Sequence, residues 1–256
     1  MGQAKKRAAE IQVLKAANPI LSNKLQAAAI HECGHALANF HYEILFGDEG
    51  LWLMQEHGEV QGFSDSRPSE KFGAVNAQDV LRDDPEGLLA YLVSCLAGPL
   101  AEFYFWLDEG RPPARILAEN EDAWLNDFAA LLGIEGTGTG HGMLYDSEQL
   151  KQARHIFRWC MKTLFGALGW IETPKLPPVM VFDQDASLPF RNAVIEAMNL
   201  VNLYQQEIRA LAEHLLAAPN TRLAKAQLYA WAAKNFDRKN LWEHIRAATG
   251  GANLES

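Results

Sequence analysis

Residues 24–38 read Lys24-Leu25-Gln26-Ala27-Ala28-Ala29-Ile30-His31-Glu32-Cys33-Gly34-His35-Ala36-Leu37-Ala38. Good helix formers precede His31, and the same character resumes after His35. On a helix, residues four apart share a face, so the His31 and His35 imidazoles can point at one ion. Glu32 lies beside that face, within reach of a water on the metal. This is the pattern of zinc hydrolases: two neutral imidazoles hold Zn²⁺, the metal acidifies a bound water, and the Glu takes its proton. The competing reading is a partly exposed helix face that happens to carry two histidines. The helical, apolar setting favours the metal site.

The spacing predicts a helix over about residues 22–41, with Ser22 or Asn23 as N-cap and Asn18-Pro19 as a break before it. Leu25, Ala29, Cys33, Leu37 and Phe40 form one apolar stripe that anchors the helix and leaves the imidazoles at a cleft. Residues 1–18 form a basic, amphipathic arm. After the metal helix, Leu51-Trp52-Leu53-Met54 and Glu59-Val60-Gln61-Gly62-Phe63 are strand candidates around a turn at Glu56-His57-Gly58. They predict a β-hairpin or small sheet beside the metal helix. An exposed edge strand there would hold an extended peptide, or the hairpin is structural only. His57 is read as a turn residue.

Residues 64–86 are polar and loop-like. A helix over 86–106 is apolar nearly all round, with Leu92, Val93, Leu96 and Leu100, and should be central. Glu102 falls near its end. A carboxylate on a buried helix needs a partner, and a zinc-bound histidine is one candidate; Glu102 is also an alternative zinc ligand. A helix over 115–132 follows, then the glycine-rich stretch Gly133 to Gly142, with His141 as a loop residue by default. Asp146 opens the next helix. It reads either as an ordinary N-cap or as the third zinc ligand, which leaves the fourth position for water. The proline-rich segment 167–191 reads as a loop or linker and a possible sub-boundary. A long helix over 192–217, a stop at Pro219-Asn220 and a last helical segment complete a helical C-terminal half.

The 256 residues suffice for one large domain or two small ones, and 48% hydrophobic content supports a core. A net charge of −9 argues against a nucleic-acid partner held by phosphate contacts. Three scattered cysteines give neither a disulfide framework nor zinc-finger spacing, so a reducing, cytoplasmic setting is the simplest expectation. The basic start Met1 to Arg7 is followed by no apolar stretch, so no signal peptide is expected. The longest apolar run, Gly87 to Ala101, is too short for a membrane span, and a soluble protein is expected.

Taken in order, these features resemble the peptidase domain of the FtsH-type ATP-dependent zinc metalloproteases. Ala29-Ile30-His31-Glu32-Cys33-Gly34-His35-Ala36-Leu37 is close to that family's His-Glu-Ala-Gly-His-Ala. Val60-Gln61-Gly62-Phe63 falls where the family has its second strand. Leu96-Ala97-Gly98-Pro99-Leu100-Ala101-Glu102 is similar to its Ala-Gly-Arg-Ala-Ala-Glu-Glu. The glycine-rich loop with Asp146-Ser147-Glu148-Gln149 looks like the approach to its aspartate ligand, and Arg209-Ala210-Leu211-Ala212-Glu213 resembles its closing helix. The likeness covers roughly residues 20–235.

The resemblance implies zinc held by His31, His35 and Asp146, with Glu32 as general base and acid. It implies a mainly α fold, with residues 19–248 as the peptidase-like domain between the arm 1–18 and a tail 249–256. The chain departs from the family at Cys33, Pro99, Phe103 and Tyr145, the last in place of an Asn. It carries no Gly-Lys-Thr nucleotide loop, so an ATP-independent endopeptidase for flexible or unfolded polypeptides is expected. Tyr145 and His141 are candidate oxyanion donors. A homo-oligomer or a separate partner protein is compatible with the helical C-terminal half. The alternative is a zinc-stabilised interaction protein with weak or no turnover, derived from the same fold.

Overall fold

Helix α1, Pro19–His41, carries both histidines. It belongs to a computed structural model that describes residues 19–57, 59–66, 85–131, 157–162 and 184–236. The described residues are mostly helical, with one small antiparallel sheet. The chain divides into two compact units, residues 1–67 with 204–256, and residues 68–203.

In the first unit, α1 starts three residues before the Ser22 expected as cap. Proline is tolerated in the first turn of a helix, where its missing N–H has no intrahelical partner, so Pro19 opens the helix instead of blocking it. Strands β1 (Phe46–Glu56) and β2 (Glu59–Ser66) form the expected hairpin, with His57 in its turn at φ 52. Both are longer than the apolar stretches that announced them. The register sets Leu53 opposite Gly62, Trp52 opposite Phe63 and Leu51 opposite Ser64. Strict alternation then puts Leu51, Leu53, Gly62 and Ser64 on one face. Trp52 and Phe63 stack on the other, with ring centroids 5.2 Å apart and planes 12° from parallel.

A short third strand, β3 (Arg222–Leu223), pairs with β1 and gives the order β2-β1-β3. It fits because Gly50, at φ +68, lies under it: a methyl group there would come 2.1 Å from the Leu223 carbonyl oxygen. Helix α5 (Gln205–Ala217) and the sheet pack on α1, and α6 (Lys225–Asn235) packs on β1. Phe40, Phe46, Tyr229 and Phe236 form an aromatic core, and the Tyr229 hydroxyl accepts the Phe46 N–H at 3.1 Å.

In the second unit, α2 (Pro85–Asp108) contacts α3 (Pro113–Leu131) and α4 (Gln184–Leu203). Residues 90–101 of α2 are all buried, in keeping with its central role. Leu89–Asp108 is also long and apolar enough to cross a membrane, and 83% of its most apolar window is buried, as in a core helix.

Two boundaries differ from expectation. The single helix over 192–217 is two helices, broken at Tyr204, whose φ −106 and ψ 19 are not helical. Its ring reaches Phe236 at 4.8 Å and its hydroxyl shares a 3.3 Å hydrogen bond with His41, so a tertiary cluster overrides a continuous apolar period. The start of α4 at Gln184 takes in Pro189, which the sequence assigned to the loop 167–191. Pro189 is the sixth residue of α4, past the first turn, so its missing N–H forfeits one intrahelical bond, to the Asp185 carbonyl, and the helix continues across it. The arm 1–18, residues 167–183, the end of the last helical segment from 237 and the tail 249–256 lie outside the described residues.

Candidate metal centre

The four-residue spacing brings the two rings together. His31 Nε2 and His35 Nε2 stand 3.1 Å apart, with ring centroids 4.8 Å apart at 71°. Two nitrogens bound tetrahedrally to one zinc at 2.0–2.1 Å stand about 3.3 Å apart. The pair therefore has the separation of two ligands of one ion, and the donor set suits zinc. The same separation also accommodates an Nε2–H donated from one ring to the other. Either arrangement keeps at least one ring neutral, the form that ligates metal.

Both rings are buried, at 5% and 3% exposure, and Glu32 beside them is at 6%. A buried stripe with an open polar face is not what α1 shows: every residue from 29 to 40 is buried. The physical reason is that β2 and α5 both pack on this helix, so its polar positions are covered along with its apolar ones. Cys33 is fully buried, and burial first, then the Glu32 carboxylate, pushes its thiol well above the ordinary range. It is a core residue of α1.

The Glu32 side chain lies directly against β2. A methyl group at Gly62 would fall 2.4 Å from both its Cγ and its Oε1. Glu102, on α2 of the second unit, has a different environment. Its Oε1 accepts the Trp106 indole N–H at 2.9 Å, and its Oε2 accepts that of Trp124 at 2.7 Å. The Arg111 guanidinium sits 4.5 Å from the Trp106 ring centroid and pairs with Glu119. Asp146, His141 and Tyr145 lie outside the described residues, and no group of three metal-binding side chains occurs among the described ones.

Sequence reasoning missed two features. The Glu102–Trp106 bond was available as an i, i+4 pair on a helix. The contact of Gly62 with Glu32 was not, because it depends on how the hairpin folds back on α1.

No protein-family model matches the chain, and no curated protein or solved structure matches it either.

Proposed function

We propose that the chain is a zinc-dependent endopeptidase that hydrolyses peptide bonds in flexible or unfolded polypeptides, with a helical FtsH-like peptidase fold and a soluble, cytoplasmic setting. The observation that carries this reading is the 3.1 Å convergence of the His31 and His35 nitrogens, with Glu32 adjacent on the same buried helix. His31 and His35 would hold the metal, with Asp146 as third ligand. Glu102 is proposed as a support for a zinc-bound histidine or as the alternative ligand.

When bound, zinc supplies Lewis acidity, polarising a carbonyl and bringing the pKa of water to about 7. Glu32 takes a proton from the attacking water and delivers it to the departing amine as the C–N bond breaks, so it ends as it began. Among the described residues β2 is an edge strand of the sheet, and it adjoins Glu32 at Gly62. An extended peptide added along that strand would present its backbone to the carboxylate.

The test is digestion of casein and a peptide library by the zinc-loaded chain. Cleavage abolished by chelator and by Glu32→Gln, with zinc retained in the variant, is the expected result. Wild-type-rate cleavage by a zinc-loaded Glu32→Gln protein overturns the mechanism. Tight zinc binding with a wild-type chain that cleaves nothing favours a zinc-stabilised interaction protein instead.

A further inference from the structure

We propose that Gly62 is a positioning residue, the wall that fixes where the Glu32 carboxylate can stand. This rests on the reading of Glu32 as general base. Gly62 sits mid-strand opposite Leu53, in a backbone conformation open to any residue, so conformational freedom does not explain a glycine here. Space does. The three atoms nearest to a Cβ built at position 62 are Glu32 Cγ at 2.4 Å, Oε1 at 2.4 Å and Cδ at 2.8 Å, all from one side chain. The notch left by the missing Cβ is occupied by the carboxylate arm of the base.

Carbon atoms pack no closer than about 3.5 Å, so a methyl group at position 62 moves that arm by about 1 Å. The imidazoles belong to α1 and need not move with it. Two of the three obstructing atoms, Cδ and Oε1, are the far end of a flexible side chain, and Cγ turns with them about the Cα–Cβ bond, so the carboxylate arm gives way before the strand does. A glutamate in water samples many rotamers, whereas one pressed on a bare strand backbone has few. In this way the sheet, which carries no acid or base in the proposed chemistry, determines how the proton acceptor faces the two imidazoles. A misplacement of 1 Å costs about 100-fold in rate when the displaced group acts on the reacting atoms.

The experiment compares the full chain, Gly62→Ala, Glu32→Ala and the double variant, each zinc-loaded. Gly62→Ala should lower kcat by about 100-fold while KM and zinc content stay at wild-type values. A rise in KM at unchanged kcat would make Gly62 a substrate-contact residue and overturn the proposal. Thermal unfolding provides a readout independent of turnover. Gly62→Ala should lower the midpoint by about 2–4 °C when Glu32 is present and leave it unchanged in the Glu32→Ala background. Equal shifts in both backgrounds overturn the contact. If the zinc-loaded wild type cleaves no peptide, the peptidase reading fails by itself, and the thermal comparison still decides whether Gly62 holds Glu32.

Discussion

Glu32 and Glu102 are both carboxylates set into helices whose neighbouring positions are apolar, yet the chain treats them differently. Glu102 is gripped by donors of its own unit, one indole N–H on each oxygen. A carboxylate held by two hydrogen bonds in a part-buried place is satisfied where it stands, and its charge is accounted for locally. Glu32 lies against a strand that lacks a side chain at the point of approach. Its sequence neighbours on the same helix are two imidazoles whose nitrogens converge. On the proposed reading, a carboxylate beside two convergent imidazole nitrogens is placed to exchange a proton, whereas one that accepts from two indoles is tied to its own surroundings.

The largest effect that separates the two is on turnover. Glu32→Gln keeps the size of the side chain and removes its basicity, and should lower peptide hydrolysis by about 1,000-fold at unchanged zinc content. Glu102→Gln keeps an acceptor for one indole and should cost far less. Comparable losses in the two variants, measured on zinc-loaded protein, would erase the distinction between a reacting and a supporting carboxylate.

Next in size is the effect on metal affinity. Loss of a residue that only orients ligands weakens binding by about 10–100-fold, and loss of a ligand weakens it further. Asp146→Ala should therefore lower zinc affinity more than Glu102→Ala does. Competitive zinc titration gives the order, and the reverse order would make Glu102 the ligand.

What the sequence revealed of this molecule follows the range of the forces involved. The α1 pair and the hairpin were legible because a four-residue spacing and a two-residue alternation are local geometry. The long helix drawn through Tyr204 failed because apolar periodicity continues across the break. The decisive contacts there, to His41 and Phe236, come from distant parts of the chain. β3 escaped notice because two residues carry no pattern; it exists because Gly50 lets the chain approach. At the site, residue types and spacing were readable. The depth of burial was not, since it comes from the packing of β2 and α5 onto α1.

A smaller effect probes the supporting side of the comparison. Trp124 is 1% exposed and donates to Glu102 Oε2. Trp124→Phe keeps most of the ring and deletes the donor, so it should cost about 1–3 kcal/mol, with part of that from lost volume. That lowers the unfolding midpoint by a few degrees, which calorimetry resolves. A Trp124→Phe protein as stable as the wild type would mean that the indoles do not hold Glu102.

The smallest expected effect lies back on β2. Ser64 follows Gly62 by two residues and so shares its face, opposite Leu51. Its hydroxyl oxygen is buried and has no hydrogen-bond partner among the described residues. An unsatisfied buried hydroxyl opposes folding, because water is given up with nothing in exchange. Ser64→Ala should therefore be neutral or stabilising by up to about 1 kcal/mol, and should leave hydrolysis unchanged. A loss of stability would show that the hydroxyl is already satisfied. A loss of turnover at constant stability would extend the site along the strand. In that case β2 would act on the chemistry by a polar group as well as by the space left at Gly62.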